Sequence, residues 1–139
     1  MSRPWVGMSS VPKPQSGTTI VESASFTSTC SDVETLVQLT TEAGLSAWLD
    51  PVATFDTRRG GSIRFEPGYG GSYLLIDIPK QVVLATERHG EIAVRVNVKA
   101  RPITVDVTIT RFVVDGDDVE AVRALLQSTI AALRERLHV

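Results

Sequence analysis

Between Glu91 and Ala100 apolar and polar residues alternate, with Ile92, Val94, Val96 and Val98 against Glu91, Arg95, Asn97 and Lys99. The same period continues through Ile103–Val113, where Ile103, Val105, Val107 and Ile109 oppose Thr104, Asp106, Thr108 and Thr110. A period of two is that of a strand with one dry and one wet face. Reading it back to Val52 predicts strands over Val52–Thr57, Ser62–Glu66, Tyr69–Ile78, Val82–Arg88, Glu91–Ala100 and Ile103–Val113. Arg59-Gly60-Gly61, Pro67-Gly68, Pro79-Lys80, His89-Gly90 and Arg101-Pro102 separate them, turn spellings that make neighbouring strands antiparallel. An earlier strand over Thr18–Thr27 places Ile20, Ala24 and Phe26 on one side, together with Glu22.

Two stretches break the alternation. Ser31-Asp32-Val33-Glu34 spells a capping box, predicting a short helix through about Gln38 with Val33, Leu36 and Val37 facing inward. A second short helix over Glu42–Leu49 is stopped at Asp50-Pro51, because the residue before a proline is pushed out of the helical region. The longest helix is predicted over Asp117–Leu137, with Val119, Val122, Leu126, Ile130, Leu133 and Leu137 on one stripe. An Asp caps its start and Glu120 reaches back to complete a second capping box. At 1.5 Å per residue such a helix is roughly 30 Å long, enough to cross a whole sheet.

These elements predict an α+β fold, a curved antiparallel sheet of about seven strands wrapped around the C-terminal helix, with two short helices after the first strand. Dry strand faces and the helical stripe enclose an apolar hollow in this reading. Residues 1–17, rich in Pro, Gly and Ser, are expected to form a flexible arm, and residues 18–139 one domain.

Composition narrows the functions. A net charge of −2 with no basic cluster beyond Arg58–Arg59 argues against nucleic acid. The apolar runs are too short to span a bilayer, and the N-terminus lacks a secretory core, so a cytoplasmic protein is expected. The lone Cys30 excludes an intrachain disulfide and reads as an inert small residue near a helix cap. His89 falls in a turn and His138 is penultimate, so neither sits where a general base or metal ligand would be held rigidly. No catalytic residue, metal site or cofactor is therefore expected.

What remains is a binding site. Trp48, Phe65, Tyr69 and Tyr73 are the aromatic candidates for lining the hollow, with Leu126 and Ile130 from the helix stripe. Arg111 continues the dry series Val105, Val107, Ile109, where it reaches water through a strand-end bulge, forms a structural pair with Glu22, or anchors a ligand carboxylate. Asp77 and Glu87 read as solvated edge charges.

The stretch Gly44-Leu45-Ser46-Ala47-Trp48-Leu49-Asp50-Pro51, then Gly60-Gly61-Ser62-Ile63-Arg64-Phe65 and Asp77-Ile78-Pro79-Lys80-Gln81-Val82-Val83-Leu84, resembles the SRPBCC (START-like) superfamily. Within it the chain resembles homologues of the activator of the heat-shock-chaperone ATPase, over roughly residues 18 to 137. The resemblance implies a helix-grip fold and a cavity for a small apolar or amphipathic molecule between sheet and helix. It carries no catalytic residues to this chain. A co-chaperone-like interaction module, acting on a protein partner or as a homodimer, is the alternative it implies; a cyclase- or hydrolase-type enzyme using Arg111, Glu22 or a tyrosine is a third.

Overall fold

A computed structural model describes residues 16–58 and 60–137. Its strands are β1 (Gly17–Ser28), β2 (Val52–Phe55), β3 (Ser62–Phe65), β4 (Gly70–Asp77), β5 (Gln81–Thr86), β6 (Gly90–Asn97) and β7 (Ile103–Val114). The helices are α1 (Asp32–Thr40), α2 (Glu42–Trp48) and α3 (Val119–Arg136). All seven strands join one antiparallel sheet in the order β1-β7-β6-β5-β4-β3-β2, with α1 and α2 after β1 and α3 packed on the sheet. This is the predicted helix-grip architecture. Most of the arm expected over 1–17, and with it Trp5, lies outside the described residues, as do Arg59 and His138; Gly17 itself opens β1. No described helix is long and apolar enough to cross a membrane.

Alternation does what the sequence requires of it. Val105, Val107 and Ile109 of β7 and Ile92, Val94 and Val96 of β6 are all buried on the helix side. Their partners on the other face, Asp106, Thr110, Glu91, Arg95 and Asn97, meet solvent.

The helices depart from expectation in two places. In α1 the capping box forms: Glu34 N–H donates to Ser31 Oγ (3.1 Å) and Ser31 N–H donates to Glu34 Oε1 (3.2 Å). Yet Val33 and Val37 are exposed, at 66% and 40%, while Thr35 and Leu39 go inside. Thr35 tolerates burial because its hydroxyl donates to Ser31 O (2.8 Å) and meets Ser28 Oγ, a satisfaction that a hydrophobicity pattern does not register. In α3 the cap is Asp118, which accepts from Ala121 N–H (3.1 Å). Glu120 is therefore one position short of the third helical place from which it would reach back, and lies 3.9 Å from Arg123 instead.

Burial along α3 is uneven. Leu126, Thr129, Ile130 and Leu133 are buried, and the Leu137 carbonyl that ends the helix accepts from the Thr29 N–H (2.9 Å) and from the Ser28 and Thr29 hydroxyls. Val119 and Val122, in its first turns, are only half-buried. The helix is fastened at its C-terminal end and lies more loosely over the opposite end of the sheet.

Candidate functional site

Five of the predicted site residues sit in the packed core: Trp48, Phe65, Tyr73, Leu126 and Ile130 are all buried, with Tyr73 and Leu126 at 0% exposure. The polar ends of Trp48 and Tyr73 are already committed. The last carbonyls of a helix have no partner within it, and α1 has each of its four met by a side chain. Thr41 Oγ1 donates to Val37 O (2.7 Å), Trp48 Nε1 to Gln38 O (2.7 Å), Tyr73 Oη to Leu39 O (2.7 Å) and Thr57 Oγ1 to Thr40 O (3.1 Å). Tyr73→Phe should therefore cost about 1–3 kcal/mol by leaving the buried Leu39 carbonyl unsatisfied, measurable as a lower denaturant midpoint with an unchanged slope.

The other two predicted residues, Tyr69 and Arg111, belong to a polar cluster at the opposite end of the sheet from the C-terminus of α3. Its members are Asp50, Tyr69, Thr86, Arg88, His89 and Arg111. Pairing builds its floor as a row across the helix-facing side: Gly71 pairs with Thr86, Thr86 with Gly90, and Arg111 with Ile20. Gly90 closes the row, since a Cβ there would lie 3.0 Å from Arg111 Cα, and its φ of 85° is one that favours glycine. The two glycines leave the floor bare on either side of Thr86.

His89 fills part of that space. Expected in an exposed turn, it is only 2% exposed. Thr86 turns it inward: Thr86 Oγ1 accepts from the His89 backbone N–H (2.8 Å) and stands 2.9 Å from Nδ1. The hydroxyl keeps a proton that it can donate to Nδ1, an arrangement in which the neutral ring carries its hydrogen on Nε2. Burial, with the cations Arg88 and Arg111, pulls the His89 pKa down to about 4 against the opposing pull of Asp50. The ring is neutral at neutral pH and presents an N–H.

Tyr69 stacks on Phe65 with ring centroids 4.6 Å apart and meets the His89 ring edge-on at 5.9 Å. Its hydroxyl donates to Asp50 Oδ2 (2.6 Å), which also accepts from Arg88 (2.6 Å). Burial first, then the Asp50 carboxylate, pushes the phenol well above its ordinary pKa. Burial also acts to raise Asp50, but the hydrogen bonds from Tyr69 and Arg88 outweigh it and hold the carboxyl below its usual value. Asp50 and Arg88 thus cancel in charge.

Arg111 does not pair with Glu22. Arg123 of α3 takes that carboxylate (2.8 Å), with Gln127 at 3.2 Å, because α3 passes over β1. Arg111 is half-buried, and its Nε is buried with no acceptor among the described residues. Sequence reasoning missed Asp50, Thr86, Arg88 and His89 as members of this site. The spelling Thr86-Glu87-Arg88-His89-Gly90, a hydroxyl three residues before a His–Gly, is the signal that could have found His89.

Three surface grooves lie among the described residues, the third of them sharing Gly71 and Thr86 with this cluster. One of about 290 Å³ runs between α1 and the end of α3 past Gln38 and Arg136, and one of about 390 Å³ lies by Arg101 and Ile103. Both touch Cys30, which is itself buried, with Sγ 3.8 Å from Arg136 O. The third, about 450 Å³, crosses β3 to β5 at Arg64, Gly71 and Glu87, where Glu87 accepts from Gly70 N–H (2.6 Å). None of the seven predicted site residues lines these grooves.

The seven-stranded sheet with α3 packed on it is a helix-grip fold. No protein-family model matches the chain, and no curated protein does. Among solved structures, an uncharacterised protein from Rhizobium leguminosarum superposes with a TM-score of 0.70 at 15% identity, covering 90% of this chain and 98% of that one. The Aha1 dimer from Colwellia psychrerythraea gives 0.63 at 17% identity, covering 86% and 96%. The AHSA1-like protein from Aeromonas hydrophila gives 0.60 at 10%, covering 84% and 91%. At these identities the likeness establishes the shared fold.

Proposed function

We propose that this is a small-molecule binding protein that holds an apolar or amphipathic ligand between the sheet and the first turns of α3. The observation that carries the reading is Arg111: it continues the helix-facing series of β7 with a buried Nε that nothing in the described chain accepts from. An uncompensated polar group of this kind costs stability, and a ligand that completes it recovers that cost. The other polar groups support binding over proton transfer. The hydroxyls of Tyr69 and Tyr73 are held protonated by burial and are already engaged, and Glu22 is neutralised by Arg123. The ligand's apolar part lies under α3's N-terminal half, since the C-terminal half is filled by Leu126, Ile130 and Leu133.

Native mass spectrometry of protein purified from its own host tests this. A retained small molecule is the expected result. A bare polypeptide mass, with no thermal stabilisation by lipophilic additives, would overturn it.

A second reading, self-association, rests on the sheet's other face. There Val21 of β1 and Phe112 of β7 are exposed at 54% and 47%, beside the free edge strand of the sheet. The Colwellia protein of the same fold is a dimer. If a second copy covers this face, Phe112→Thr should shift the molecular mass seen by light scattering from dimer to monomer at micromolar concentration; an unchanged mass removes the reading.

A further inference from the structure

Building on the proposed binding site, we infer that its ligand carries a single carboxylate, received by the Arg111 guanidinium and the Nε2–H of His89. Charge counting selects the class. Arg88 and Asp50 form an ion pair at 2.6 Å, Tyr69 is a neutral donor already given to Asp50, and Arg123 and Glu22 neutralise each other at 2.8 Å. Arg111 is left as the one uncompensated cation of the cluster, so a monoanion balances it, and a dianion would leave a negative charge beside Asp50.

Hydrogen-bond direction selects the same class. Thr86 accepts from the His89 backbone and so has its own proton for Nδ1, leaving Nε2–H as the donor that the ring offers. No protein acceptor takes it among the described residues. A planar carboxylate matches the fork of a guanidinium and can accept from a neighbouring N–H as well. An alcohol oxygen can accept from both donors but carries no charge to balance Arg111, and an ammonium meets only donors. Close strand approach demands glycine at 71 and 90, where a Cβ would lie 2.5 Å from Ala85 O and 2.4 Å from Thr110 O, so no side chain of either residue stands beside Thr86.

The experiment compares octanoate, 1-octanol and octylammonium by titration calorimetry on the full chain at neutral pH. Octanoate is expected to bind at least about tenfold more tightly than either competitor of the same carbon count, a preference worth ~1.4 kcal/mol. Arg111→Met, checked for folding by circular dichroism, should erase the preference while leaving octanol binding in place. In the wild-type protein, the His89 Nε2–H proton resonance should move on adding octanoate and stay put on adding octanol, a readout independent of any variant. Equal affinity for the three probes, or a preference that survives in Arg111→Met, sinks the carboxylate and leaves the binding reading standing. Failure of all three to bind sinks both.

Discussion

Leu126→Ala should destabilise the protein by about 2–5 kcal/mol, the range for emptying a fully buried leucine site whose surroundings cannot collapse. Leu126 has no exposed surface and packs in the same core as Tyr73, Leu84 and Ile109. For a chain of this length the loss corresponds to a melting temperature lower by roughly 6–15 °C. Val122→Ala, one turn earlier on the same stripe, should cost about 1 kcal/mol or less, because its side chain is only half-buried and its removal opens no sealed void. The contrast tests the mechanical claim beneath the binding proposal: α3 is anchored by its buried C-terminal half and by the Leu137 carbonyl, while its first turns are held by half-buried valines and the Arg123–Glu22 ion pair. Backbone amides from Val122 to Leu125 should correspondingly exchange faster than those from Leu126 to Leu133. Equal penalties at 122 and 126 would mean that the helix is clamped along its length, and that no ligand enters beneath it without unfolding.

The difference between those two valine and leucine positions was invisible in the sequence, where both fall on one stripe. Periodicity reports which face of an element is dry, and it placed the strands and the long helix because each repeats its period over several residues, whereas the two short helices were placed by the Ser31 capping box and the Asp50-Pro51 stop. It cannot report how deeply each position on that face is covered, since depth depends on which other elements arrive above it. The same limit explains Val33 and Val37, apolar but exposed on α1, and Thr35, polar but buried through hydrogen bonds to Ser31 and Ser28. Trp48 and Tyr73 were legible as large inward aromatics, yet their work at the end of α1 depends on contacts to Gln38 and Leu39, up to 34 residues away in the chain. Arg111 was legible as an inward charge because it continues a period-two series. Its partner was not: Glu22 is equally inward, and only the path of α3 decides that Arg123 reaches it first. His89 was the largest miss. A turn residue is read as exposed by default, and its burial follows from a hydroxyl three residues earlier acting together with two glycines that leave the neighbouring strands bare.

That buried ring makes the protein acid-sensitive in a window set by its own titration. In the unfolded chain a histidine takes up a proton near pH 6.5, whereas His89 in the folded protein resists protonation until about pH 4. Between these values the unfolded state binds more protons than the native one, so stability is complete above about pH 6.5 and falls as pH drops through the window, by up to ~1.4 kcal/mol per pH unit. The total from this one ring is about 3 kcal/mol, an appreciable share of the 5–15 kcal/mol typical of a domain. Burial is the largest cause and sets the sign, Arg88 and Arg111 act with it by opposing a further positive charge, and Asp50 acts against it. Asp50 itself works lower on the scale. Its carboxyl is held below the ordinary value, so its contribution is present above about pH 4 and is lost only as pH falls further. Denaturant melts at half-unit steps from pH 7.5 to 4 should show the decline in the wild-type protein and a nearly flat line in His89→Asn, whose amide can still bond Thr86 but cannot titrate. A wild-type profile without slope above pH 4, or one that His89→Asn reproduces, would show that the ring takes its proton as freely inside the protein as outside it, and the Nε2–H donor offered beside Arg111 would lose its basis.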